Sequence, residues 1–130
     1  MLLRSLPALL AACVLVLGCG SPPAAPASVT LRSERGLVEA SIGFDGPVRR
    51  GDNKVIAELW APAGGEPRLA AVNAYMVAHN HQAQAASIRS TDVGFEASDL
   101  DLFMTGRWQL ELELTLDDQS DRISMPVDVP

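Results

Sequence analysis

The chain has 130 residues, 48% of them hydrophobic in type, and its 16 acidic against 10 basic residues give a net charge of −6 and a pI near 4.7. An acidic surface repels phosphate backbones and anionic headgroups, which excludes nucleic acid as a natural partner and excludes membrane attachment by charge. Both cysteines, Cys13 and Cys19, lie in the first twenty residues, so no disulfide framework can staple the remainder and the fold must rest on its core.

The first element is MLLRSLPALLAACVLVLGCG, in which Arg4 is the only charge. Its apolar stretch from Ala8 to Leu17 falls short of the about 20 residues a bilayer span needs, and the segment reads as an export signal. Val16-Leu17-Gly18-Cys19 resembles the bacterial lipobox, in which cleavage before the cysteine leaves that residue as the lipid-bearing N-terminus. The expectation is therefore a signal peptide over 1–18, a lipid on Cys19 that fixes the protein to a membrane, and a tether of small residues and prolines up to residue 28. A plain secretory signal with a coincidental cysteine is the alternative, and it too places the domain outside the cytoplasm. Gly20 supplies no aspartate-type inner-membrane retention signal, so the outer membrane is preferred where the cell has one. Without Arg4, 9 basic and 16 acidic residues leave a net charge of −7. Residues 29–130 suffice for one domain with a real core.

Past the tether the dominant pattern is period two, the signature of half-buried strands. Val29 and Leu31 open a short first strand. Leu37 to Phe44 sets Val38, Ala40, Ile42 and Phe44 on one side, and Lys54 to Trp60 offers Val55, Ala57 and Leu59 opposite Ile56 and Trp60. Leu69 to Met76 is apolar throughout; Ala78 to Ser87 reads as loop; Ile88 and Phe95 mark short strands. From Trp108 to Leu116 the alternation is cleanest, with Trp108, Leu110, Leu112, Leu114 and Leu116 sharing one face and Gln109, Glu111, Glu113 and Thr115 the other. A helix would smear those leucines around its circumference. Ile123, Met125, Val127 and Val129 close the series. Turn chemistry punctuates it at Asp45-Gly46-Pro47, Arg50-Gly51-Asp52-Asn53, Pro62 to Pro67 and Asp117 to Ser120. About seven short strands at this spacing predict an all-β antiparallel sandwich.

The stretch Asp-Leu-Phe-Met-Thr-Gly-Arg-Trp-Gln-Leu-Glu-Leu (101–112) resembles the signature of the YtkA-like domain, a small immunoglobulin-like sandwich of exported bacterial proteins. Gly-Asp-Asn-Lys-Val (51–55) is similar to that family's turn entering a strand, and Met76-Val77-Ala78-His79-Asn80-His81 to its methionine and histidine loop. The likeness runs over about residues 37–129. Two positions depart from the pattern: Val77 stands where the family carries proline, and Asn80 where it carries glycine. What the resemblance implies is an immunoglobulin-like fold and a part in copper handling or oxidase assembly.

The residues themselves allow a soft-metal site. In extended backbone His79 and His81 project to one side, and Met76 and Met104 bring thioethers to the same end of the sandwich. Imidazole with thioether suits Cu(I), and imidazole alone also takes Cu(II) or Zn(II). No Asp or Glu occurs from Pro67 to Thr91, which disfavours calcium and magnesium. Against this, a His-x-His pair supplies only two ligands and methionine is a common core residue. The expected metal set is Met76, His79, His81 and Met104 with copper as the ion; the alternative is a metal-free envelope module that contacts another exported protein. Asp99 and Asp101 fit the wet face of a strand whose dry face carries Leu100 and Leu102. No nucleophile elbow, phosphate loop or dinucleotide motif is present, so the expectation is a protein that is not an enzyme. Trp108 is expected in the core, while the side taken by Trp60 is undecided.

Overall fold

A computed structural model describes residues 27–130; the expected signal, Cys19 and most of the tether lie outside the described residues. The strands are β1 (Val29–Arg32), β2 (Glu39–Phe44), β3 (Gly51–Trp60), β4 (Pro67–Met76), β5 (His81–Gln84), β6 (Ser87–Ser90), β7 (Phe95–Leu102), β8 (Gly106–Leu116) and β9 (Gln119–Val129). They form two antiparallel sheets, ordered β1-β2-β3-β7-β6 and β5-β4-β8-β9. With β1 set aside, this is the A-B-E-D sheet of the immunoglobulin-like sandwich facing C-F-G extended by one further strand.

The core lies where the leucine alternation puts it. Trp108, Leu110, Leu112, Leu114 and Leu116 are at most 6% exposed and face Val38, Ala40, Ile42, Val55, Ala57, Ala97, Leu100 and Leu102 across the interlayer space. Each such leucine contributes about 1.5–3 kcal/mol by leaving water. Trp108 spends its single polar atom inside the fold, its Nε1 donating to the Met104 carbonyl at 2.9 Å. Trp60 takes the other side: it is exposed at the end of β3, and its Nε1 donates to Glu39 Oε2 at 2.9 Å.

Two bulges explain why some strands are hard to read in sequence. In β4 the register passes from Leu69↔Leu114 to Ala71↔Glu113, so Ala70 is an extra residue. The inward set therefore runs Leu69, Val72, Ala74, Met76, and the segment reads as a continuous apolar run. In β7 the register passes from Asn53↔Leu100 to Val55↔Ala97, with Asp99 in the left-handed region at φ 57°. That extra residue lets Ala97, Leu100 and Leu102 all face inward while Asp99 and Asp101 stay exposed.

Two expectations are corrected. Among the described residues there are nine strands rather than about seven, and Ala78–Ser87 is not a loop: a 3-10 turn at Val77–His79 leads into β5, and Ser87 already belongs to β6. Glutamine and alanine are weak strand formers, so the pairing of β5 with β4 decides the conformation there.

A polar clip joins the layers at the end opposite the histidines. Asp121, 8% exposed on β9, accepts from the Ser33 hydroxyl at 2.6 Å and from the backbone N–H of Arg35, Leu37 and Arg122 at 3.0, 3.2 and 2.8 Å. Ser33 Oγ in turn accepts from Val38 N–H at 2.9 Å. Burial pushes the Asp121 carboxyl up, but the Ser33 hydroxyl and the three backbone donors outweigh it and hold the group below its ordinary value. Nothing in the local sequence pattern marks Asp121 out, because three of its four partners lie more than eighty positions away.

Candidate functional site

Three connections meet at one end of the sandwich, as the register requires: β3 starts at Gly51 opposite Leu102, the last residue of β7, and β4 finishes beside the start of β8 with Tyr75 opposite Gln109. Asn53 stiffens the β2–β3 connection there. Its Oδ1 accepts from Arg49 N–H at 3.0 Å and its Nδ2 donates to the carbonyls of Arg49 and Gly51 at 2.7 and 2.8 Å. Gly51 takes φ 98°, a region that favours glycine.

The histidine loop is the second connection. Met76 ends β4 facing inward, 2% exposed, and the chain then makes one 3-10 turn in which Val77 is 83% exposed. Asn80 follows in the left-handed region, φ 51° and ψ 40°, with its N–H donating to the Val77 carbonyl at 3.3 Å. His81 then begins β5 opposite Met76. The backbone between the histidines is thus not extended, which corrects the premise on which they were expected to share a side. They still come together: the ring centroids are 6.1 Å apart and the planes 23° from parallel. Asparagine tolerates the left-handed conformation better than most residues, and that residue reverses the chain within a single step.

Phe103, on the third connection, holds the inner ring of the pair. Its ring meets His81 edge-on at 5.2 Å and Trp108 edge-on at 5.3 Å. A run of four rings, His79, His81, Phe103 and Trp108, therefore passes from solvent to the core, and such edge-to-face pairs add about 0.5–1.5 kcal/mol each beyond area burial. Sequence reasoning missed Phe103 as part of the rim. Its signal was available: an aromatic residue in a turn, next to Met104 and just ahead of Gly106.

Beside the pair lies an open pocket of about 460 Å³ lined by Tyr75, Met76, Val77, Asn80, His81 and Gln82. Met76 is among the residues that line this pocket with His81, while its side chain packs in the core. Met104 does not line it; that residue is half-buried against the core and its carbonyl is taken by Trp108. Among the described residues no cluster of three or more His, Cys, Asp or Glu side chains is placed to hold a metal. The rim thus brings two imidazole rings together beside a pocket with no carboxylate among its lining residues.

The acidic residues near β8 have structural partners. Glu113 accepts from Asn73 Nδ2 at 3.2 Å, and Glu111 lies 3.7 Å from the Arg122 guanidinium. At the rim end Arg107 and Asp128 pair across β8 and β9 at 2.9 Å, which holds the Asp128 carboxyl below its ordinary value.

Fold and rim together define an all-β antiparallel sandwich carrying a two-histidine end. No protein-family profile, curated protein or solved structure matches the chain.

Proposed function

We propose that this is a lipid-anchored, extracytoplasmic sandwich of YtkA-like type whose rim takes copper for metal handling or oxidase assembly. The observation that carries the reading is the 6.1 Å approach of the His79 and His81 rings beside a pocket that Met76 also lines. In this reading both imidazoles bind one ion with Met76 as the third donor and Met104 as a second thioether at the same end. Soft donors without an oxygen ligand favour Cu(I), and the open pocket leaves room for hand-over to a partner. The lipid on Cys19 would keep the domain at the membrane surface.

Calorimetric titration of the chain lacking residues 1–18 and carrying Cys19→Ser tests this with Cu(I) and Cu(II). The expected result is saturable binding of one ion, lost in His79→Ala and His81→Ala and weakened as pH falls, because protons compete for the imidazoles. Equal, non-saturating heats in all three proteins refute the metal reading.

A second reading has its own observation. Val77 is 83% and Phe103 40% exposed on either side of the histidines, and exposed apolar side chains grouped at one end mark a protein contact. Protein purified without chelators separates the two: absence of copper together with failure to load it leaves the metal-free interaction module.

A further inference from the structure

The outward side of β5, β4 and β8 gathers a second set of side chains, of which Tyr75 and Gln82 also border the rim pocket. Register places Tyr75 between Gln82 and Gln109, and Asn73 between Gln84 and Glu111. This patch holds the chain's only tyrosine and three of its four glutamines. Solvated strand faces are usually filled by β-branched or charged residues, so strand propensity does not account for the amides. Asn73 spends one donor on Glu113. Among the described residues, Tyr75, Gln82, Gln84 and Gln109 make no side-chain hydrogen bonds. A groove of about 340 Å³ lies along this face, lined by Asn73, Tyr75, Gln82, Ala83, Gln84 and Glu113.

The chemistry of that groove selects its ligand. Each amide is both donor and acceptor, as a sugar hydroxyl is, and the Glu113 carboxylate accepts hydroxyl donors. The phenol ring of Tyr75 gives a flat apolar surface for the C–H face of a pyranose while its own hydroxyl remains available. No cation lines the groove and the chain carries −6 overall, so uronates, sulfated sugars and phosphates are repelled. We propose that the outer face of β5, β4 and β8 binds a neutral oligosaccharide, with Tyr75 as the platform and Gln82, Gln84 and Asn73 as the hydroxyl-reading groups. A single ring platform places the dissociation constant near about 1 mM, the weak end of specific binding.

The test uses the chain lacking residues 1–18 with Cys19→Ser, labelled with 15N throughout and 13C in tyrosine, which yields one set of tyrosine ring signals. Chitotetraose and cellotetraose are the probes, raised to about 10 mM, and trigalacturonate is the anionic control. The expected outcome is a saturable shift of the Tyr75 ring and of the Gln82 and Gln84 side-chain amides with at least one neutral tetrasaccharide. Tyr75→Phe keeps affinity within about threefold, whereas Tyr75→Ala and Gln82→Ala lower it by about tenfold or more with backbone spectra otherwise preserved. The proposal is overturned by the absence of a saturable shift with both neutral probes, by shifts that map away from residues 73–84, by binding that survives Tyr75→Ala, or by equal binding of trigalacturonate. If Tyr75→Ala fails to fold, the Gln82→Ala and Tyr75→Phe proteins decide.

Discussion

Replacing Asp121 by asparagine tests whether the polar clip between the β1–β2 connection and β9 holds the two layers together. The carboxylate accepts four hydrogen bonds, one from Ser33 Oγ and three from the backbone N–H of Arg35, Leu37 and Arg122. The substitution keeps the shape but turns one oxygen into a donor, so at least one buried donor loses its partner and the charge assistance of the rest disappears. A buried donor left unmade costs about 1–3 kcal/mol, and bonds to a charged acceptor contribute about 1.5–3 kcal/mol each, so a net loss of about 2–4 kcal/mol is expected. For a domain of this size that lowers the urea midpoint by about 2 M at unchanged slope, read by circular dichroism. The pH dependence gives a second signature. The folded carboxyl titrates below its ordinary value of 3.8, so its stabilisation is fully present above that value and is lost as pH falls through the still lower folded value. The parent protein should therefore weaken on acidification below about pH 4, and Asp121→Asn should show a correspondingly smaller loss over the same range. A variant within about 0.5 kcal/mol of the parent, with the acid limb intact, would refute the clip as a stabilising device.

Other substitutions separate the remaining parts of the fold. Leu112→Ala empties a fully buried site between the sheets and should cost about 2–5 kcal/mol in urea unfolding. Gly94→Ala places a Cβ 2.3 Å from the Ala57 carbonyl oxygen; the backbone must shift, and a loss of about 2 kcal/mol or more in the same assay is expected. Asn80→Gly preserves the left-handed step between the histidines and should leave the urea midpoint unchanged, whereas Asn80→Val strains it by about 1–2 kcal/mol and should lower the midpoint.

Legibility followed phase. From Trp108 to Leu116 the alternation survives unbroken from one end of the strand to the other, and the sequence was enough to assign every side chain to its face. β4 and β7 each contain a bulge, which slips the phase by one residue, so their inward residues cannot be found by counting in twos. The strand β5 escaped because four residues carry little periodic signal and its composition is that of a loop. The histidines were legible as a pair, but their geometry was not: a left-handed asparagine and an edge-on phenylalanine from 22 positions downstream set it. The Asp121 clip was invisible for a similar reason, since three of its four donors belong to the β1–β2 connection.

Where the sheets end bears on which surfaces are open to a partner. β9 is a long edge strand, and such an edge invites pairing with another chain. Some of its outward backbone groups are already taken. The Arg122 carbonyl accepts from Glu34 N–H at 2.9 Å, and the Arg122 N–H is bound to the Asp121 side chain at 2.8 Å. Pro126, two steps further in the same phase, has no N–H to offer. On the other side of the sheet, β4 runs past the end of β5, but Pro67 and the Ala70 bulge interrupt that exposed length. The edges β1 and β6 span four residues each. These interruptions and the shortness of β1 and β6 disfavour strand addition along much of the sheet edges, which favours recognition by side chains. β5 supplies two sets of them, His81 and Ala83 toward the rim and core, Gln82 and Gln84 toward the outer face. Because successive residues of one short strand serve both faces, a one-residue slip of β5 against β4 would exchange them, and Met76↔His81 is the pairing on which both surfaces depend.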